Sequence, residues 1–340
     1  MRHLRLSVDP ITPGRLQLID ELKGFAIILV VLYHAGGVVA WENKLHGELG
    51  VDIFAILSGV GLSLSSTVKS AGQYFGRRFL RIYPMYWLVL TAFLLGNAYF
   101  MGEHTTTKDI VLHYIGIHAF WSDTYAVSIN DSFWFITFII FVYTVYWLIK
   151  PLWNRPDWII AIGSILTLVM SLTFLYGGHA LMFGHLVTRV PQFFIGLLIG
   201  QLIRNGRLEI PLNVTVCLSV FILLYVAYLN SIIYYIIVLA PVMMGLYAFA
   251  FKPILPVFIA GPVGKIFAFL GRYSLEIFLI HQPLIRHYNL HFQYTWFKIT
   301  PPTIHQMIIG MVIWFIVVVI PLSVGLGKLQ QWMLSSKKTA

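Results

Sequence analysis

Residues 20–34, Asp-Glu-Leu-Lys-Gly-Phe-Ala-Ile-Ile-Leu-Val-Val-Leu-Tyr-His, run a charged lip straight into an unbroken apolar helix that carries one histidine. An ionisable side chain inside such a helix is costly unless it faces protein or water, so position alone makes His34 a functional candidate. Lys23 and His34 are eleven residues apart, roughly 16 Å at the helical rise and about half of a hydrocarbon core. Lys23 then sits at one membrane surface and His34 near the middle. A surface cation and an internal proton acceptor suit a ligand that enters from one side and reacts within. The competing reading is a membrane histidine that only hydrogen-bonds a neighbouring helix.

The rest of the chain agrees with a membrane setting. With 59% hydrophobic and 11% charged residues and a mean hydropathy of +0.81, the 340 residues lack the polar surface to cover a water-soluble domain. The fold class expected is all-α: a polytopic integral membrane protein of about ten transmembrane helices in a single domain over residues 1–340. The expected spans are roughly 20–40, 50–67, 83–101, 132–150, 157–176, 190–204, 211–229, 232–251, 267–288 and 305–327. The run 109–121 is too short to span and reads as re-entrant or interfacial. If the N-terminus is cytoplasmic, only Lys44, Lys108, Arg189, Arg286 and Lys298 of the 23 lysines and arginines fall outside. That asymmetry places both termini in the cytoplasm. It also explains the net charge of +10 without nucleic acid.

Other chemistries are less well supported. The single cysteine, Cys217, excludes an internal disulfide and a cysteine-based metal site. About twenty polar-rich residues precede the first apolar run, so no cleavable signal peptide is expected. The outer loop 102–131 holds His104, His113 and His118, whose spacings fit no familiar ligand pattern, so no metal is expected. That loop could equally be a partner-binding segment or a solvated, mildly acidic one.

A second constellation is Phe75-Gly76-Arg77-Arg78-Phe79-Leu80-Arg81-Ile82-Tyr83-Pro84, expected on the cytoplasmic side between the second and third helices. In a helix, Arg78 and Arg81 share a face and can grip one polyanion, and arginine's planar fork suits phosphate. A plain positive-inside anchor touching anionic lipid is the alternative.

Lys23 followed by Tyr33-His34 resembles the R-x10-H motif of the acyltransferase family 3 membrane proteins, with lysine in place of the motif arginine. The Arg78–Arg81 stretch is similar to that family's RxxR motif, and Gly50-Val51-Asp52 through Ser58-Gly59 to its second-helix pattern. Ser132-Phe133-Trp134 resembles its tryptophan-containing helix start, although Thr137, Phe138 and Ile139 stand where many members carry a glutamate. Ser274-Leu275-Glu276 through His281-Gln282-Pro283 is similar to its late-helix signature. The five matches keep the family's order.

The resemblance implies an acyl-CoA-dependent O-acyltransferase, acetyl being the first acyl group to expect. It would move the acyl group from cytoplasmic acyl-CoA to a hydroxyl of an envelope glycan or lipid-linked sugar, in the cytoplasmic (inner) membrane of a bacterium. Lys23, Arg77, Arg78 and Arg81 would hold coenzyme A. His34, with Asp52 and His281, would be catalytic; Trp134, Tyr33 and Ser274 would meet substrate. No metal or resident redox cofactor is implied. The rival is a transporter or flippase for an anionic or sugar-linked lipid that uses the same buried groups as a path.

Overall fold

The computed structural model describes residues 3–5, 17–38, 48–65, 70–102, 105–121, 129–152, 156–176, 181–204, 209–211, 260–285 and 303–336. Its elements are helical apart from one antiparallel pairing of β1 (His3–Arg5) with β2 (Glu209–Pro211). In chain order the helices are α1 (Gln17–Val38), α2 (Glu48–Leu64), α3 (Ala71–Gly96), α4 (Thr107–Ile115), α5 (Trp134–Ile149), α6 (Pro156–Tyr176), α7 (Leu181–Val187), α8 (Val190–Arg204), α9 (Ala260–Arg272), α10 (Ser274–Pro283), α11 (Ile304–Trp314) and α12 (Ile320–Ser336).

Among the described residues four helical stretches are long and apolar enough to cross a membrane: Ala71–Tyr99, Trp134–Leu152, Gly184–Arg204 and His305–Ser335. Two shorter apolar helices cover Leu49–Leu64 and Ala161–Met170. Most of the spans expected from the sequence therefore fall on helices, and two of the ten, roughly 211–229 and 232–251, lie outside the described residues.

Three boundaries differ from the sequence reading. The third helix begins at Ala71, not near Tyr83, because Ser70 caps it by accepting a hydrogen bond from the Gln73 amide. The arginine motif is consequently part of the helix. The run 267–288 is broken at Tyr273, where α9 ends and α10 begins. The last helix continues through a π-helical turn (Phe315–Val319) to Ser336.

The described chain falls into two compact units, each made of separated segments. The first is Met1–Ile28, Glu48–Thr67 and Phe138–Arg272. It is built on the pairing of α2 with α8, where small residues let the backbones meet. A methyl group at Gly59 would strike the Phe193 carbonyl, one at Gly196 the Ile56 carbonyl, and one at Gly200 the Ser63 side chain. The Ser63 hydroxyl turns this closeness into a hydrogen bond by donating to the Leu197 carbonyl at 2.8 Å. In the same unit the start of α1 crosses α9 at glycines: Gly24 abuts the Phe267 backbone and Gly271 the Asp20 backbone.

The second unit is Leu29–Gly47, Val68–Thr137 and Tyr273–Ala340. In it α3, α10 and α12 pack on one another. Gly327 of α12 lets the Tyr273 ring lie against that helix, and Gln330 of the same helix donates to the Arg81 carbonyl.

Candidate functional site

The arginine motif occupies the first turns of α3. Arg78 stacks its guanidinium 5.1 Å from the centre of the Tyr74 ring, one turn earlier. Arg77 and Arg81 are exposed. Below them Glu276 of α10 is buried, within electrostatic reach of Arg81. Arg78 and Arg81 are thus helical neighbours on one face, the arrangement a shared polyanion requires.

From Phe79 onward, α3 carries an aromatic file. Phe79 stacks on Tyr83 at 4.6 Å, and Trp87 meets both edge-on. Tyr83, Tyr86 and Trp87 donate hydrogen bonds to the carbonyls of Ile115, His113 and Tyr114, at 2.6, 2.7 and 2.8 Å. Those carbonyls close the C-terminal turn of α4, where the helical ladder runs out; the His113 carbonyl also accepts from the Gly116 amide at 2.9 Å. Gly116, at φ 84°, ends the helix. The segment expected to be re-entrant or interfacial therefore folds back along α3, and its tip reaches Tyr83, two residues from Arg81.

Behind that tip His113 and His118 are buried and stack at 3.9 Å, nearly parallel. The His113 Nδ1–H donates to the Asp109 carbonyl at 2.7 Å, leaving Nε2 as an acceptor. Burial pushes both imidazoles below their ordinary range, His118 further, with the His113 charge adding to the effect. His104, grouped with them in the sequence reading, lies outside the described residues. Among the described residues no group of three or more His, Cys, Asp or Glu could hold a metal ion.

His34 and His281 meet in the second unit, with ring centres 5.0 Å apart. Tyr33 lies edge-on to His34 at 5.2 Å. His281 is fully buried, and its Nδ1 faces the carbonyls of Phe278 (2.8 Å) and Ile277 (3.2 Å). Carbonyls only accept, so Nδ1 carries the proton. Nε2 is then the lone-pair nitrogen, and among the described residues no group hydrogen-bonds it. Ser274 opens α10 and Trp134 opens α5; both are buried. Trp134 contacts Phe135, Phe135 packs on Phe278, and Phe278 packs on His281.

The remaining two residues singled out in the sequence lie in the first unit. Lys23 pairs at 3.8 Å with Asp20, one turn back. Asp52 is fully buried and pairs at 3.2 Å with Arg189, itself buried, while Gln192 donates to the same carboxylate at 3.4 Å. Thr188 accepts from Arg189 at 2.6 Å. The sequence reading counted Arg189 only as one of five outer cations. A signal was available, because an arginine at the mouth of a span is a ready partner for a carboxylate at the outer end of another. Ser132 and Gln282, joined at 2.6 Å, were also missed as a pair.

Comparison with known proteins bears on this arrangement. The family model described as an acyltransferase domain matches residues 17–327. The chain is similar to ORF330 of Acidianus two-tailed virus, a protein provisionally named an acetyltransferase, with 29% identity over 223 residues, 62% of this chain and 64% of that one. It is also similar to BcsY of Komagataeibacter xylinus, provisionally named a membrane-bound transacylase, with 34% identity over 98 residues, 24% of each chain. The chain thus matches less than two thirds of the length of either relative. No solved structure matches it.

Proposed function

From the premise that this chain belongs to the acyltransferase family whose model spans residues 17–327, we propose that it is a membrane O-acyltransferase. It takes an acyl group, acetyl first, from cytoplasmic acyl-CoA and gives it to a hydroxyl of an envelope glycan or lipid-linked sugar. Its site is the cytoplasmic membrane of a bacterium. The observation that carries the reading is the pairing of His34 with His281, the latter holding a buried lone pair that no group among the described residues hydrogen-bonds.

In this reaction the acceptor oxygen attacks the thioester carbonyl, its proton passes to His34, the C–S bond breaks, and the thiolate leaves as coenzyme A thiol after regaining a proton. A neutral histidine can take that proton near neutral pH. The His281 lone pair, one ring away, favours the imidazolium that forms on His34. Arg77, Arg78 and Arg81 bind the coenzyme A phosphates, and the pantetheine arm runs inward along the aromatic file of α3. Tyr33, Trp134 and Ser274 border the acceptor. Asp52 serves by holding Arg189, which keeps α2 and the start of α8 in register. Donor and acceptor held in one place gain from proximity.

The test uses purified protein in nanodiscs supplied with acetyl-CoA or succinyl-CoA. Thiol release should depend on added envelope glycan, and polysaccharide from cells carrying the gene should be heavier by one acyl unit than polysaccharide from cells without it. No acceptor-dependent thiol release together with unchanged polysaccharide mass overturns the reading.

A further inference from the structure

The turn of α10 that carries His281 has a gap in its helical ladder. Pro283 has no amide hydrogen, so the Leu279 carbonyl, four residues earlier, loses its helical partner. Asn130 fills the gap: its side-chain amide donates to the Leu279 carbonyl at 3.4 Å. The same asparagine caps the turn Asp131–Phe133 by accepting from the Ser132 amide at 2.9 Å. Ser132 then reaches the residue after the histidine. Its amide and its hydroxyl both donate to Gln282 Oε1, at 2.9 and 2.6 Å. Asn130, Ser132 and Gln282 are all about 4% exposed or less, so these bonds compete with little water. The helical turn is gripped at Leu279 and Gln282, and His281 lies between.

We propose that Asn130, Ser132 and Gln282 are positioning residues for His281, a bracket that docks the start of α5 onto the proline-opened turn of α10 and fixes where the His281 Nε2 lone pair points. Its contribution to acyl transfer rests on the reading above; its contribution to the histidine's geometry does not. The proline is part of the device, because it exposes the carbonyl that Asn130 recognises. Replacing Pro283 by alanine restores a helical donor to Leu279 and makes Asn130 partly redundant.

Two measurements on the full chain in nanodiscs test this. The first is the NMR signal of His281 in ring-labelled protein, assigned by its loss in His281→Gln. Ser132→Ala and Gln282→Leu should each move that signal, whereas Ser132→Thr, which keeps the hydroxyl, should leave it near the wild-type position. Asn130→Ala should move it less in a Pro283→Ala background than in the native one. The second is acetyl transfer, in which Ser132→Ala should lower kcat by up to about 100-fold with little change in the acetyl-CoA KM and a displaced pH profile. A His281 signal unchanged in both Ser132→Ala and Gln282→Leu overturns the bracket, whatever the activity. A moved signal in a protein that transfers no acyl group upholds the bracket and counts against the enzyme reading instead.

Discussion

At His34 the catalytic and the purely structural assignments diverge on one substitution. His34→Gln keeps polarity, approximate size and hydrogen bonding to a neighbouring helix, but glutamine takes no proton at neutral pH. Acyl transfer should fall by roughly 10²- to 10⁴-fold, while insertion, yield and coenzyme A binding stay near normal, since Arg78 and Arg81 are untouched. Near-normal transfer would pass the role of base to His281. At the other end, Arg81→Ala should raise the donor KM more than it lowers kcat, because phosphate contacts remote from the thioester supply binding. Arg81→Lys should recover only part, since an ammonium cannot reproduce the fork; unchanged donor KM in both variants would leave the arginines as topology signals. Arg189 sets a different expectation. Arg189→Ala removes the buried cation paired with the Asp52 carboxylate, which costs roughly 3–5 kcal/mol and should appear as a large drop in melting temperature. Pairing it with Asp52→Asn should restore part of that loss.

Among the elements, α3 and α4 show best what the sequence could and could not reveal. Hydropathy marks the span from Tyr83 onward, because Gln73, Arg77, Arg78 and Arg81 keep the average low before it; the helix nonetheless starts at Ala71, where a serine cap and an aromatic face outweigh those polar side chains. Residues 109–121 read as too short to span, hence as re-entrant or interfacial, but their docking onto Tyr83, Tyr86 and Trp87 links distant residues with no local signature. The exposed side of α4 carries Val111 and Ile115, one turn apart and each about half exposed, an apolar face unlike that of a solvated loop. The stacked pair His113 and His118 gives this arm a pH response. Both are held below the ordinary imidazole value of 6.5 by burial, so as pH falls through about 6.5 the unfolded chain takes up protons that the folded arm refuses, and stability falls. The slope is at most about 1.4 kcal/mol per pH unit for each histidine. His118→Phe should flatten the melting-temperature profile between pH 5 and pH 7, with Tyr83, Tyr86 and Asp109 the other titratable groups nearby. An unchanged profile would show that the pair does not hold the arm.

For the whole chain, the legible part of the site was what stands out locally: His34 and His281 are rare polar residues in apolar runs, and the arginines form a motif. What escaped were pairings across the sequence, Asp52 with Arg189 and Ser132 with Gln282, because a hydrogen bond between distant segments leaves no periodicity behind it. Orientation in the membrane is likewise a property of the entire charge distribution, and it decides whether the donor argument can hold. Gln73 precedes the arginine motif on α3 and is exposed; Lys108 lies at the start of α4 and is exposed. On the orientation proposed from the asymmetry of lysine and arginine, Gln73 lies on the cytoplasmic side and Lys108 outside. With Cys217 replaced by serine, a cysteine at Lys108 should react in intact cells with an impermeant maleimide, and one at Gln73 should react only after the membrane is opened. A cysteine at Ile115, at the C-terminal end of α4, should resist the reagent from outside although it is only a few residues from Lys108, since α4 carries it back along α3 toward Arg81. Labelling at Gln73 with protection at Lys108 would invert the chain, put Arg78 and Arg81 away from cytoplasmic acyl-CoA, and remove the basis for a coenzyme A donor.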